Sequence, residues 1–152
     1  MTNLIEKCEA HEIQLKYNKK LKASDFPKIT CSNDAADYVK QIMGDNINMF
    51  EEMFILILNR ANRVIGWYRL GKGGVSGVTA DIKIMLKLLC TNLGSAAILA
   101  HNHPSGQLKP SQPDMDLTRK AKEAMRLVDA VLLDHVICTE ESYLSFADEG
   151  LL

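Results

Sequence analysis

The sequence predicts an α/β domain with a mixed central sheet and helices packed on it. Residues 53–58 and 96–100 are short, continuously apolar runs, as expected of central strands buried on both faces. A turn-like segment joins the first run to a further strand pattern at residues 64–70, which predicts an antiparallel hairpin. Stretches with apolar residues at helical spacing alternate with these strands. A hairpin combined with this alternation predicts a mixed sheet covered by helices in two or three layers.

Length and charge are those of one ordinary domain. The chain has 152 residues and a net charge of −1, which gives no general attraction to nucleic acid. No apolar run approaches the roughly 18 residues of a membrane span, and the N-terminus lacks the segments of a secretory signal. We therefore expect a cytoplasmic protein with no membrane partner. We expect residues 1–10 to form an N-terminal tail and residues 11–152 to form the domain.

The first elements follow from alternation and capping. Residues 11–17 alternate polar and apolar side chains, which predicts an edge strand with one buried side. A helix is predicted from Ser32 to about Met43, because the polar residues at its start can cap it and Gly44 can end it. Its expected core residues are Ala35, Ala36, Val39 and Met43.

The later elements continue the pattern. A second helix is predicted to begin at Thr79 or Asp81 and to end at Gly94. Its expected core residues are Ile82, Met85, Leu86, Leu89 and Leu93. A helix, a strand and a short strand follow the run at residues 96–100. Their expected limits are Ser111 to about Val128, Val131 to Cys138, and Tyr143 to Phe146.

The four cysteines are far apart in the sequence. They form no Cys-x-x-Cys pair, which argues against a thiolate zinc site. Cys90 falls on a helical pattern and Cys138 on a strand pattern, so we expect both to be buried small hydrophobic residues.

Two histidines directly follow the run at residues 96–100. Residues two apart on a strand point to the same face, so His101 and His103 can bind one metal ion together. Ten residues separate His103 from Asp114, enough for the chain to return a carboxylate at the start of a helix. Two imidazoles and one carboxylate leave a fourth position for water, which is typical of catalytic zinc sites. The sequence therefore predicts a zinc ion held by His101, His103 and Asp114.

Ser111 has two compatible interpretations. It stands three residues before Asp114 at the start of a predicted helix, which is the spacing of a capping box variant. Asp114 is also a favourable charge at a helix N-terminus. The same hydroxyl would lie near the bound water and could donate to a developing oxyanion. Ser111 is therefore predicted to cap the helix and to take part in catalysis.

These residues together resemble a known motif. His-x-His, then ten residues and Asp, with Ser three residues before that Asp, resembles the JAMM motif of the JAB/MPN-plus metalloproteases. Two short sequences are most similar to the RadC branch. They are His-Asn-His-Pro-Ser-Gly at residues 101–106 and Leu-Asp-His-Val at residues 133–136. The resemblance runs from about residue 11 to the C-terminus. It implies a single JAB/MPN-type domain with a fold similar to cytidine deaminases, a zinc ion, and a catalytic glutamate on an early strand.

The glutamate of the family motif stands just before an apolar run. This position corresponds to Glu52, and its neighbour Glu51 is the alternative. Strand alternation lets only one of the two side chains face the metal. The resemblance favours Glu52, which is therefore predicted to be the general base.

Three further polar residues lie near the motif. His135 falls inside a strand pattern, which favours a hydrogen-bonded core histidine over a further metal ligand. Asn102 and Ser105 flank the ligands, where they either orient them or serve the geometry of the loop.

The resemblance implies a zinc-dependent metallopeptidase or isopeptidase that acts on a peptide or protein substrate. The alternative is a RadC-like protein that acts on or near DNA, as a nuclease or a scaffold, which the family's DNA-repair label suggests. The helix-hairpin-helix region usual in RadC proteins has no counterpart in this sequence. A metal-free interaction module is disfavoured by the complete ligand set. The DNA alternative has support from one basic cluster, formed by Lys109, Arg119, Lys120, Lys122 and Arg126.

Overall fold

Five strands form one mixed sheet in the computed structural model, which describes residues 22–73 and 80–152. The strands are β1 (Glu52–Leu58), β2 (Val64–Lys72), β3 (Ala96–Asn102), β4 (Val131–Cys138) and β5 (Tyr143–Ser145). They lie side by side in the order β2-β1-β3-β4-β5. Strands β3 and β4 run parallel, and each of the other neighbouring pairs is antiparallel. The mixed sheet predicted from the hairpin is confirmed.

Helices cover both faces of this sheet, which gives the domain three layers. Helix α1 (Ser32–Met43) packs on one face, and α2 (Ile82–Thr91) and α3 (Gln112–Arg126) pack on the other. Each face therefore has its own hydrophobic core. The predicted α/β class, with helices packed on a mixed central sheet, is confirmed. The residues that α1 buries are the four expected ones, Ala35, Ala36, Val39 and Met43.

Strand β1 occupies the middle of the sheet between β2 and β3. Its seven residues are all buried, because helices cover both of its faces. The turn that leads to β2 is stabilised by Asn59, whose Oδ1 accepts the backbone N–H groups of Ala61 and Arg63. Asn62 adopts a φ of 55°, a left-handed conformation that asparagine tolerates better than most residues. The antiparallel pairing of β1 with β2 confirms the predicted hairpin.

Helix α2 departs from its prediction at the C-terminal end. Asp81, one of the two predicted starts, caps the helix by accepting a backbone N–H of the first turn. The helix ends at Thr91, so Leu93 lies beyond it with 69% of its surface exposed. The expected core position of Leu93 is therefore wrong. A Cβ at Gly94 would lie 2.5 Å from Cγ2 of Ile57, so glycine allows this turn to pack closely against β1.

The two cysteines expected in the core differ in exposure. Cys138 is buried, as predicted, whereas Cys90 is exposed. Helix α2 buries Met85 and Leu89, and the residue after Leu89 is rotated by about 100° around the helix axis. This rotation turns Cys90 toward solvent, so the expectation that it is buried is wrong.

The register between strands decides which side chains face α2 and α3. Met53 of β1 lies opposite His101 of β3, and Leu99 of β3 lies opposite His135 of β4. Paired residues on neighbouring strands point to the same face of a sheet. Leu99 belongs to the core beneath α2 and α3. All four of these side chains therefore share the face on which α3 packs.

Two predictions fall outside the described residues. These are the edge strand at residues 11–17 and the N-terminal tail at residues 1–10, so the limits of the domain stay a prediction. Among the helices that the structure describes, none combines the length and the apolar character needed to cross a membrane.

Candidate metal centre

His101 and His103 stand at the C-terminal end of β3. His101 is fully buried, and the backbone N–H of His103 donates to the carbonyl of Cys138, which extends the pairing with β4 by one residue. This extended backbone keeps the two side chains on the same face of the sheet. The Nε2 atoms of the two imidazoles lie 2.9 Å apart. The structure thus brings the two predicted histidine ligands together.

Asp114 joins the histidines from the first turn of α3. Its Oδ1 lies 3.4 Å from Nε2 of His101, and its Oδ2 lies 3.9 Å from Nε2 of His103. The side chain is held by Ser111, whose backbone N–H and hydroxyl donate to Oδ2 at 2.7 and 2.6 Å. The predicted capping box is present, since the N–H of Asp114 in turn donates to the Ser111 hydroxyl.

The spacing of these three side chains fits a tetrahedral metal ion. Ligand atoms about 2.05 Å from a tetrahedral zinc lie about 3.3 Å from one another. Nε2 of His101 lies 2.9 Å from Nε2 of His103 and 3.4 Å from Oδ1 of Asp114, and Nε2 of His103 lies 3.9 Å from the other oxygen, Oδ2. Small movements would therefore bring three ligands onto one ion. Nitrogen and carboxylate donors suit zinc and several other divalent metals, so this chemistry supports a metal without selecting one.

A second carboxylate near the histidines is that of Glu51, one of the two adjacent glutamates predicted as candidate bases. One ligand atom each from Glu51, His101 and His103 lie within 4.8 Å of one another, as a metal-binding group does. Glu52 lies elsewhere: its Oε1 accepts from Arg69 at 3.0 Å and pairs with Lys72 at 3.4 Å. Of the two candidate bases, the structure places the alternative, Glu51, at the histidines, and not the residue that the family motif favoured.

The register of β1 explains this arrangement. Met53 pairs with His101, so the residue two positions earlier, Glu51, points to the same face as His101. Glu52 points to the opposite face, as does Asn102. The carbonyl of Glu51 accepts from the N–H of Gly73, which extends the pairing with β2 beyond the first residue of β1.

Burial shapes the protonation of the site. Burial lowers the pKa of His101 to about 4, an effect that Asp114 opposes and His103 reinforces. The imidazole of His101 is therefore neutral at physiological pH, the form that binds metals. Burial raises the pKa of Glu51, with His103 opposing and Asp114 reinforcing. A carboxylate with a raised pKa is better suited to accept a proton near neutral pH.

Comparison with known proteins agrees with this architecture. The family model of the RadC-like JAB domain matches residues 29–151. This chain belongs to that family. A UPF0758 protein of Flavobacterium johnsoniae is 41% identical over 140 residues, which cover 90% of this chain and 60% of the relative. A UPF0758 protein of Porphyromonas gingivalis is 45% identical over 103 residues, which cover 67% and 45% of the two chains.

A third UPF0758 protein, from Nitrosococcus oceani, is 41% identical over 103 residues, or 68% of this chain and 46% of the relative. The chain thus spans about half the length of these relatives, whose name states no activity. The match confirms the predicted RadC-like family and the single JAB-type domain.

In this RadC-like domain, His135 is joined to the candidate metal centre through His101. Its Nε2 lies 2.9 Å from Nδ1 of His101, the nitrogen that faces away from Asp114. Its Nδ1 lies 2.6 Å from the hydroxyl of Thr118 on α3. Thr118 was not among the site residues predicted from the sequence. The available signal was its position four residues after Asp114, where a helical threonine can bond to the carbonyl of that residue.

Asn102 and Ser105 have separate roles in the RadC-like domain. Asn102 is buried and points away from the candidate metal centre, and its Oδ1 accepts the N–H of Glu52 at 2.8 Å. Its amide donates to the carbonyls of Ile47 and Phe50, each at 2.7 Å. Asn102 thus fastens the segment that carries Glu51 to β3. The Ser105 hydroxyl accepts a backbone N–H two residues later at 3.4 Å, which serves the loop.

Proposed function

We propose that this domain is a zinc-dependent hydrolase of peptide or isopeptide bonds. The observation that carries the proposal is the convergence of His101, His103 and Asp114 at the spacing of a tetrahedral ion. Three protein ligands leave one position open, as in catalytic zinc sites. Membership of the RadC-like JAB family supports the same class of chemistry. The relatives are longer than this chain. The activity and substrates of a longer protein that contains this domain are therefore also part of the proposal.

His103 has the tautomer that binds a metal through Nε2. Nδ1 of His103 bonds to the backbone carbonyl of Gln107. A carbonyl oxygen can only accept, so Nδ1 carries the proton and Nε2 offers its lone pair to a metal. Asp114 is held in place by two hydrogen bonds from Ser111 to Oδ2, and Oδ1 lies close to His101.

We assign the general base to Glu51. A zinc ion held by these ligands would supply Lewis acidity and bring the pKa of water toward about 7. Glu51 accepts a proton from the water whose oxygen adds to the carbonyl carbon of the substrate. Glu51 then donates that proton to the amine nitrogen as the C–N bond breaks, leaving a carboxylic acid and an amine. Its distance from the histidines, within 4.8 Å, is one that a single water molecule can span.

Ser111 is assigned a supporting part in this scheme. Its hydroxyl has one proton, and that proton is donated to Asp114. The hydroxyl therefore serves the ligand in this arrangement. A direct donation to an oxyanion, the second role predicted from the sequence, requires the hydroxyl to turn away from Asp114.

Metal analysis and a cleavage screen test the proposal together. Purified protein should contain about one zinc per chain by plasma mass spectrometry, since the site offers one set of three ligands. The zinc-loaded protein should cleave members of a peptide and isopeptide library, and the Glu51→Gln protein should bind the same zinc without cleaving them. Zinc binding with no cleavage of any amide substrate would contradict the peptidase assignment.

A further inference from the structure

A continuous chain of hydrogen bonds joins two of the proposed ligands behind the metal centre. It runs from Nδ1 of His101 to Nε2 of His135 at 2.9 Å and from Nδ1 of His135 to the Thr118 hydroxyl at 2.6 Å. It ends where that hydroxyl meets the backbone carbonyl of Asp114 at 2.6 Å. His101 and His135 are fully buried, and Thr118 is only 2% exposed. The chain therefore links β3, β4 and α3 in a site closed to solvent.

The direction of every bond in this chain follows from its last member. The carbonyl oxygen of Asp114 can only accept, so the Thr118 hydroxyl donates its single proton to that oxygen. That hydroxyl must then accept from Nδ1–H of His135. A neutral His135 has no second proton, so its Nε2 accepts from Nδ1–H of His101.

The last link leaves Nε2 of His101 without a proton. This atom faces Asp114 and His103, where the metal is proposed to bind. We propose that His135 and Thr118 are positioning residues that select the metal-binding tautomer of His101 and hold its ring in place. The inference rests on the zinc site of the proposed function. It assigns a role in metal binding to two residues that do not themselves reach the ion.

If His135 and Thr118 served only packing, different features of their side chains would matter. His135 stacks on Phe146 with ring centroids 4.6 Å apart, so any flat ring of similar size would preserve that packing. A helical threonine bonded to the carbonyl four residues earlier needs no partner on β4. The packing role therefore depends on shape alone, whereas the positioning role depends on donors and acceptors at particular atoms.

Nitrogen NMR of the zinc-loaded full chain tests the direction of the bonds without any substitution. Long-range proton–nitrogen correlations distinguish the two neutral tautomers of a histidine. We expect His135 to carry its proton on Nδ1, and His101 to carry its proton on Nδ1 with zinc on Nε2. A proton on Nε2 of His135 would overturn the proposal, because His101 could then not donate to it.

Zinc affinity of matched variants tests the consequence. Thr118→Val keeps the shape and removes the hydroxyl, and His135→Phe keeps the ring and removes both nitrogens. We expect each to weaken zinc binding by about 10- to 100-fold in competition with a chromophoric chelator, as losses of such supporting groups do. Thr118→Ser restores the hydroxyl, and His135→Gln supplies an acceptor near the position of Nε2. We expect both to bind zinc more tightly than their matched counterparts.

These zinc affinities are measured without any assay of hydrolysis. Near-UV circular dichroism of each variant verifies that the fold is kept before affinities are compared. Natively folded Thr118→Val and His135→Phe proteins with unchanged zinc affinity would overturn the positioning role, even if the wild type cleaves peptides. If the variants show the expected order of zinc affinities but the wild-type protein cleaves no amide substrate, the positioning role is supported. Only the proposed function is then contradicted.

Discussion

The carboxylates of Glu51 and Glu52, neighbours in the chain, lie on opposite faces of the sheet. Glu51 approaches His101 and His103, whereas Glu52 is buried against Arg69 and Lys72. The two side chains therefore serve different environments despite having the same chemistry. One faces the proposed metal and the other joins β1 to the edge strand β2.

This separation predicts that the same substitution affects activity at one position and stability at the next. Glu51→Gln should keep zinc and stability but reduce kcat by about 100- to 10,000-fold, because the amide cannot accept a proton. Glu52→Gln should keep measurable activity but lower the free energy of unfolding by about 1 to 3 kcal/mol, since charged hydrogen bonds are weakened. Steady-state kinetics and urea denaturation distinguish the two. Loss of hydrolysis in the Glu52→Gln protein alone would return the base to the residue that the family motif favoured.

The three proposed ligands should each be needed for metal binding. Replacing His101, His103 or Asp114 with Ala removes one of three protein ligands, so zinc content should fall well below one per chain after dialysis against a weak chelator. Metal analysis of the dialysed proteins measures this loss. Asp116→Ala serves as the control, because it removes a nearby carboxylate on the same helix that pairs with Arg119 and not with the histidines. Full zinc occupancy in the His103→Ala protein would show that His103 is not a ligand.

Substitution of Ser111 distinguishes its two predicted roles. Ser111→Ala removes the helix cap and one of the two hydrogen bonds to Asp114 Oδ2. We expect a loss of about 1 kcal/mol in the free energy of unfolding and weaker zinc binding. Ser111→Thr keeps a hydroxyl and should retain most of both properties. If the alanine variant instead keeps stability and zinc affinity while kcat falls, the hydroxyl acts on the reacting atoms.

The basic cluster, formed by Lys109 and four residues of α3, should bind DNA no better than an ordinary charged surface. Its arginine and lysine side chains are exposed, and Arg119 pairs with Asp116 on the same helix at 3.2 Å. We expect Kd values for random duplex and single-stranded DNA no tighter than about 10⁻⁶ M at physiological salt. Fluorescence anisotropy at two salt concentrations measures this. Sub-micromolar binding that is lost on replacing Lys120 and Lys122 with Glu would favour the DNA-associated alternative.

Thiol reactivity should separate Cys138 from the other described cysteines. Burial raises the pKa of the Cys138 thiol to about 12, so at pH 8 only about one molecule in 10,000 carries the reactive thiolate. Cys31 and Cys90 are exposed. Mass spectrometry after brief treatment with iodoacetamide should find both of these modified and Cys138 protected until denaturant is added. Rapid modification of Cys138 in the native protein would contradict its burial.

The RadC-like family, the α/β class and the grouping of three candidate ligands were predictable because their signals are local. Residues two apart on an extended chain share a face, which is why His101 and His103 could be paired before any fold was known. The cap formed by Ser111 and Asp114 lies within one helical turn. Leu93 was misassigned because a helix end depends on where the chain turns, and its apolar side chain alone does not reveal that point.

Tertiary structure alone decided which glutamate faces the histidines and what His135 contacts. A shift of one residue in strand register moves every side chain to the other face, so the choice between Glu51 and Glu52 depends on the pairing of Met53 with His101. The contact between His135 and Thr118 joins β4 to α3 across 17 positions of sequence. Register and packing between elements are set by the summed burial of both cores, and no short stretch of sequence carries that information.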